Sequence, residues 1–171
     1  MHRVKGFSLL ELLIVIAIIL IIAAIAIPSL LRAKMAANEA SAVSSIRQIK
    51  TAETSYYTSY PSIGFATKIA DLGGVACAPP TPASACLLDN VLSTAIPGSA
   101  GKSGYFVNAT GIANNGLNSD FVASAAPISP RTSGDRDFCS SSDAVLRFEA
   151  ATGAPPVTTV AACNAFPSIL Q

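Results

Sequence analysis

The sequence predicts an α+β protein: one long, kinked N-terminal helix packed on a small antiparallel sheet. Three observations predict it. A predominantly apolar run occupies Phe7 to Ile27. A stretch free of Gly and Pro, Leu30 to Tyr57, follows with helical periodicity. The last third carries short β-rich runs separated by turn residues. At 171 residues the chain is long enough for one domain of ordinary size. Expected boundaries are a leader at 1–6, a membrane helix at 7–29, an amphipathic helix at 30–60, a connecting region at 61–103, and a sheet with a C-terminal disulfide region at 104–171.

The first helix is membrane-like. A bilayer core needs roughly 20 apolar residues, and Phe7 to Ile27 meets that length. Its one charge is Glu11, and nothing polar appears from Leu12 to Ile27. An ionisable residue inside a span is a functional candidate by default. Arg3 and Lys5 precede the run with no acid among them, which predicts a cytoplasmic N-terminus and a head sent across the membrane. Arg32 and Lys34, just past the span, weaken that imbalance.

Pro28 lacks an N–H and crowds the preceding turn, which predicts a kink or a loosened turn rather than a helix end. Beyond it, Ala42, Ile46, Ile49, Ala52 and Tyr56 recur at spacings of three and four, one apolar stripe. Arg47, Gln48, Lys50 and Glu53 fall mostly off that stripe. Tyr60-Pro61 ends the helix. Together the two parts predict a helix of ~50 residues, about 75 Å long.

Gly73-Gly74, Pro79-Pro80, Pro82 and Pro97-Gly98 mark a long connection with short helical turns at 66–72 and 86–93. Strands are expected at 104–109, 120–125, 137–141 and 144–149, a meander of three or four with a turn at Asn114-Asn115-Gly116. Such a sheet must bury one face, and the stripe from Ala42 to Tyr56 is the available partner.

The four cysteines are Cys77, Cys86, Cys139 and Cys163, none in a Cys-x-x-Cys arrangement, and the only histidine is His2. That pattern disfavours zinc and fits disulfides in an oxidising compartment. Four cysteines allow three pairings. The favoured one joins Cys77–Cys86 as a short local loop and Cys139–Cys163 near the C-terminus.

Net charge is +1, and Arg3 and Lys5 account for two of the eleven basic residues, so the remainder is about neutral or slightly acidic. No dense Lys/Arg patch points to nucleic acid. Without a histidine beyond His2, Ser-His and Cys-His catalysis are excluded, and no Gly-rich phosphate loop follows a strand. No enzyme activity and no cofactor are expected. Asp135, Asp137 and Asp143 lack the spacing of an EF-hand and read as solvated turn residues. Tyr56, Tyr57, Tyr60 and Phe65 read as helix-to-head packing rather than a conducting path. Ala24-Ile25-Ala26 resembles a signal-peptidase site, but Glu11 and the helix continuing through Pro28 argue against cleavage there.

A basic leader ending in Gly6, then Phe7-Ser8-Leu9-Leu10-Glu11-Leu12-Leu13-Ile14-Val15-Ile16, then Pro28, resembles the type IV pilin and pseudopilin family. Gly134-Asp135-Arg136-Asp137-Phe138-Cys139 followed by Val145-Leu146-Arg147 also looks like the C-terminal strand pair of some bacterial pilins with small heads. The resemblance implies cleavage after Gly6 by a membrane prepilin peptidase and N-methylation of Phe7, the new N-terminus. It implies that Glu11 meets the Phe7 amine of a neighbouring identical subunit, because within one chain Glu11 lies a turn below that amine. Pro28 matches the family's helix-loosening proline. The implied partners are the peptidase/N-methyltransferase, identical subunits in a helical filament, the inner membrane before assembly, and an assembly platform. The expected function is a structural subunit of a type IV pilus. The alternatives are a pseudopilin of a type II secretion system and an adhesive or DNA-uptake minor pilin. Glu11 disfavours the tip-type minor subunit that often lacks this residue.

Overall fold

A computed structural model describes residues 7–75 and 79–170. The chain falls into two compact units, Met1–Lys34 and Met35–Gln171. Helix α1 (Leu9–Ser59) begins in the first and supplies the first element of the second.

In the first unit, Leu, Ile and Ala dominate α1 and its side chains are apolar all round, the signature of a helix solvated by lipid or by other helices. Leu10 is 65% exposed, Ile18 51% and Leu30 70%, so these side chains have no interior of their own. Pro28 removes one backbone donor, yet the helix runs through it, carried by strong helix formers on both sides. Among the described residues, this is the one helix long and apolar enough to cross a membrane.

In the second unit, five strands form one antiparallel meander in the order β1-β2-β3-β4-β5. They are β1 (Tyr105–Asn114), β2 (Leu117–Pro127), β3 (Arg136–Ser141), β4 (Leu146–Ala150) and β5 (Ser168–Leu170). Asn115 and Gly116 both adopt positive φ, 52° and 86°, as the two-residue turn joining β1 to β2 requires. Among the described residues, three short helices complete the unit: α2 (Ile69–Leu72), α3 (Asn90–Ser93) and α4 (Val160–Asn164). Asp89 caps α3, its Oδ1 accepting the Leu92 N–H at 2.8 Å.

Successive residues of β2 divide between two cores, as alternation along a strand demands. Phe121, Ala123 and Ala125 join Ala42, Ile46, Ile49, Ala52 and Tyr56 of α1 in the larger core. Val122 turns the other way, into a cluster with Cys139, Cys163 and Phe166, with Val157 and Val160 packed against it. The disulfide between Cys139 and Cys163 ties this C-terminal segment to β3. Ser124 adds a hydrogen bond from its Oγ to the Val157 carbonyl at 2.6 Å.

Four expectations need correction. The sheet has five strands, because the C-terminal segment returns and Ser168–Leu170 pairs with the edge of β4. The β1–β2 hairpin is longer than the β-rich runs that mark it, with pairing carried down to Asn114 and Leu117. Glu53, placed off the apolar stripe by spacing, is fully buried, because the connection after α1 folds over that flank. Asp137, read as a solvated turn residue, lies within β3 and is 6% exposed, because the C-terminal segment covers the second face of the sheet. The expected Cys77–Cys86 pairing involves Cys77, which lies outside the described residues.

Candidate assembly site

The described N-terminal end of α1 brings together Phe7, Ser8 and Glu11. Gly6, the expected cleavage position, lies outside the described residues. Phe7 precedes the helix and is 83% exposed. Ser8 stands immediately before the first helical residue, and its carbonyl accepts the Leu12 N–H at 3.3 Å. The hydroxyl of Ser8 accepts the Glu11 N–H at 3.2 Å, and the Glu11 Oε2 accepts the Ser8 N–H at 2.9 Å.

This reciprocal pair is a capping box, in which the residue before the helix and the third helical residue satisfy each other's backbone donors. It matters more in lipid than in water, where solvent would satisfy those donors instead. The Glu11 carboxylate therefore turns back toward the N-terminus and reaches the residue next to Phe7. Its other oxygen, Oε1, has no hydrogen-bond partner among the described residues. From Leu12 to Ile27 the helix offers nothing polar, so Glu11 is the single charge in the span. Pro28 lies near the far end of the apolar run and is not in contact range of this cluster by sequence separation along a helix.

By charge the sequence marks Glu11 and not Ser8. The signal was present: Ser-x-x-Glu just ahead of an apolar run is the sequence mark of a capping box.

The head has its own buried polar contacts, and they fasten segments to α1. Glu39 is 8% exposed. Its Oε1 accepts the Asp135 N–H at 2.9 Å, and its Oε2 accepts Arg136 Nε at 3.0 Å and pairs with the outer guanidinium nitrogen at 2.9 Å. The Arg136 guanidinium also lies 5.2 Å from the centre of the Phe148 ring. These contacts anchor the β2–β3 connection to the helix.

Glu53 anchors the other flank. Its Oε2 accepts the Ala66 N–H at 2.8 Å, while Oε1 is buried with no hydrogen-bond partner among the described residues. Burial pushes the Glu53 carboxyl up to about 7, the Ala66 N–H opposes that shift, and the nearby Asp71 carboxylate adds to it. Tyr56 holds the same connection through its hydroxyl, which donates to the Pro82 carbonyl at 2.8 Å.

The three acidic residues Asp135, Asp137 and Asp143 go to different tasks. Asp135 is exposed. Asp137 is raised above the usual carboxylate range by burial, against two hydrogen bonds from Thr152. Asp143 is held down to about 2, chiefly by its hydrogen bond from Arg147. Among the described residues no three His, Cys, Asp or Glu side chains gather as a metal site would require.

Tyr56, Tyr57, Tyr60 and Phe65 pack locally, Tyr56 on Tyr60 at 4.8 Å and Tyr57 on Phe65 at 4.9 Å between ring centres. Phe65 continues to Phe121 of β2 at 4.8 Å, which joins the end of α1 to the sheet.

The family profile described as the prokaryotic N-terminal methylation motif matches residues 1–27. No curated protein and no solved structure matches the chain. The match covers the leader, Phe7, the Ser8–Glu11 box and the apolar run, and ends one residue before Pro28. The fold behind it is α+β, a long apolar helix entering a five-stranded antiparallel head. Residues 1–27 are thus a prepilin motif of the type IV pilin and pseudopilin family, set ahead of a pilin-like fold.

Proposed function

We propose that the chain is a structural, non-catalytic subunit of a type IV pilus. The observation that carries this reading is the methylation motif laid over an apolar helix whose single charge is Glu11. The subunit sits in the inner membrane with its N-terminus in the cytoplasm and its head outside. The prepilin peptidase cuts after Gly6, and the Phe7 amine is methylated. Cleavage creates a cation close to Glu11, which has no cationic partner among the described residues. An amine and a carboxylate in apolar surroundings are far better paired than apart.

Between neighbouring subunits that pairing is head-to-tail, and a heterologous contact that does not close generates a helical filament. It also sets register, because an incoming subunit must bring its amine to a Glu11 already in place. The exposed apolar side chains from Leu9 to Leu31 then exchange lipid for each other. Pro28 supplies the point at which the helix can lengthen as subunits pack. The disulfide between Cys139 and Cys163 suits a head that works beyond the inner membrane, where the compartment is oxidising.

Two measurements test this. The subunit should be recovered in filaments sheared from the cell surface, starting at Phe7. Recovery only from the envelope, with a secretion defect on deletion, would assign it to a pseudopilus. A Glu11→Ala subunit should be cut and folded but absent from filaments, and normal filaments would refute the register role.

A further inference from the structure

We infer that Ser8 is a positioning residue for subunit addition: it holds the Glu11 carboxylate in the orientation that receives the neighbour's amine. The inference rests on the proposed amine–carboxylate contact and adds a residue to it.

A carboxylate has two oxygens and about four lone-pair directions. In Glu11 they are divided. Oε2 is engaged by the Ser8 N–H at 2.9 Å, and Oε1 is left open among the described residues. An isolated Glu on a helix surface distributes among several staggered rotamers. The capping box removes that freedom. The Ser8 hydroxyl accepts the Glu11 N–H at 3.2 Å and fixes the backbone of residue 8, which keeps its own N–H aimed at Oε2. The open oxygen is thereby held at the N-terminal end of the helix, on the level where a second amine arrives.

The box has a second consequence. Glu11 is the one ionisable side chain between Phe7 and Ile27, and an unsolvated carboxylate in hydrocarbon is strongly disfavoured. One charge-assisted hydrogen bond to its own backbone keeps it tolerable without consuming both oxygens. The incoming amine then adds to Oε1 and need not displace the existing bond. A subunit without the Ser8 hydroxyl must order Glu11 during docking, so the loss appears in addition to the filament rather than in insertion or cleavage.

The experiment introduces tagged variants at low level beside the unaltered subunit and measures their share of sheared filaments relative to their share of the membrane. Processing is checked by N-terminal sequencing. Ser8→Ala should begin at Phe7 and reach normal membrane levels, but enter filaments about fivefold less, the factor for a lost cap of ~1 kcal/mol. Ser8→Thr, which restores the hydroxyl, should enter within about twofold of the unaltered subunit. In a Glu11→Gln background, Ser8→Ala should cause no further loss, because the charge it positions is gone.

Equal entry of Ser8→Ala and the unaltered subunit, with Glu11→Ala excluded, would overturn the role of Ser8 alone. The same Ser8→Ala deficit in the Glu11→Gln background would overturn it as well, reducing Ser8 to a helix stabiliser. Normal entry of Glu11→Ala would instead overturn the underlying amine–carboxylate contact.

Discussion

Glutamine at position 53 should change how the head's stability responds to pH. In the folded head the Glu53 carboxyl is buried and pushed from its ordinary 4.5 to about 7, first by desolvation and then by Asp71. Each pKa unit is worth about 1.4 kcal/mol, so that gap comes to about 3 kcal/mol. Below about pH 4 the carboxyl is protonated in both states and contributes nothing. As pH rises towards 7 the unfolded chain releases its proton while the folded head keeps it, and stability falls. Above 7 both are ionised and the full ~3 kcal/mol is lost.

Glu53→Gln cannot ionise, and its side-chain carbonyl can still accept the Ala66 N–H. Its NH2 then takes the place of the partnerless Oε1, at a cost of about 1–3 kcal/mol that does not depend on pH. Stability of the variant relative to the unaltered chain should therefore rise by about 3 kcal/mol between about pH 4 and about pH 8.5. Asp71, Asp137 and Glu149 are also raised, but they are present in both proteins and largely cancel in the difference. Thermal unfolding of the full chain in detergent micelles reads the change, and a head of this size shifts by roughly 10 °C for that energy. A difference that stays constant across the pH range would show that Glu53 does not titrate between the two states and would refute the argument.

Glu39→Ala removes the carboxylate that serves both the Asp135 N–H and Arg136, and should destabilise the head by about 2–3 kcal/mol in chemical denaturation. Because Arg136 stays partly exposed, the value should fall short of that for a fully buried pair. Replacing both Cys139 and Cys163 with serine opens a loop of sequence separation 24 and should cost about 3 kcal/mol, read from denaturant midpoints in oxidised and reduced samples of the parent and the variant. A Cβ at Gly134 would overlap the Tyr105 hydroxyl, which is itself held by a 3.0 Å hydrogen bond to the Arg136 carbonyl. Gly134→Ala should therefore lower stability by about 1–3 kcal/mol, and an unchanged melting temperature would mean the β2–β3 connection shifts freely.

Hydrophobic spacing made the frame of this protein legible without coordinates. An apolar run of bilayer length, then a stripe at Ala42, Ile46, Ile49, Ala52 and Tyr56, follows from local periodicity alone, and α1 carries both. The motif at residues 1–27 is equally local, since a peptidase and a helix cap both read consecutive residues. Even the Ser8–Glu11 box was written there as a spacing of three. Tertiary structure decided what lies far apart in sequence. Glu53 is polar and off the stripe, so no window around it reveals that Ala66 will supply a donor and close the flank. Asp137 opens an expected strand yet reads as solvated, until the segment beyond Gly153 returns to cover the sheet's second face, with Cys163 bound to Cys139. β5 is a strand because the edge of β4 was open to it, while its own residues carry only a weak preference. The helix and its motif were thus determined by neighbours along the chain. The buried acids and the fifth strand were determined by neighbours brought together only when the chain folds.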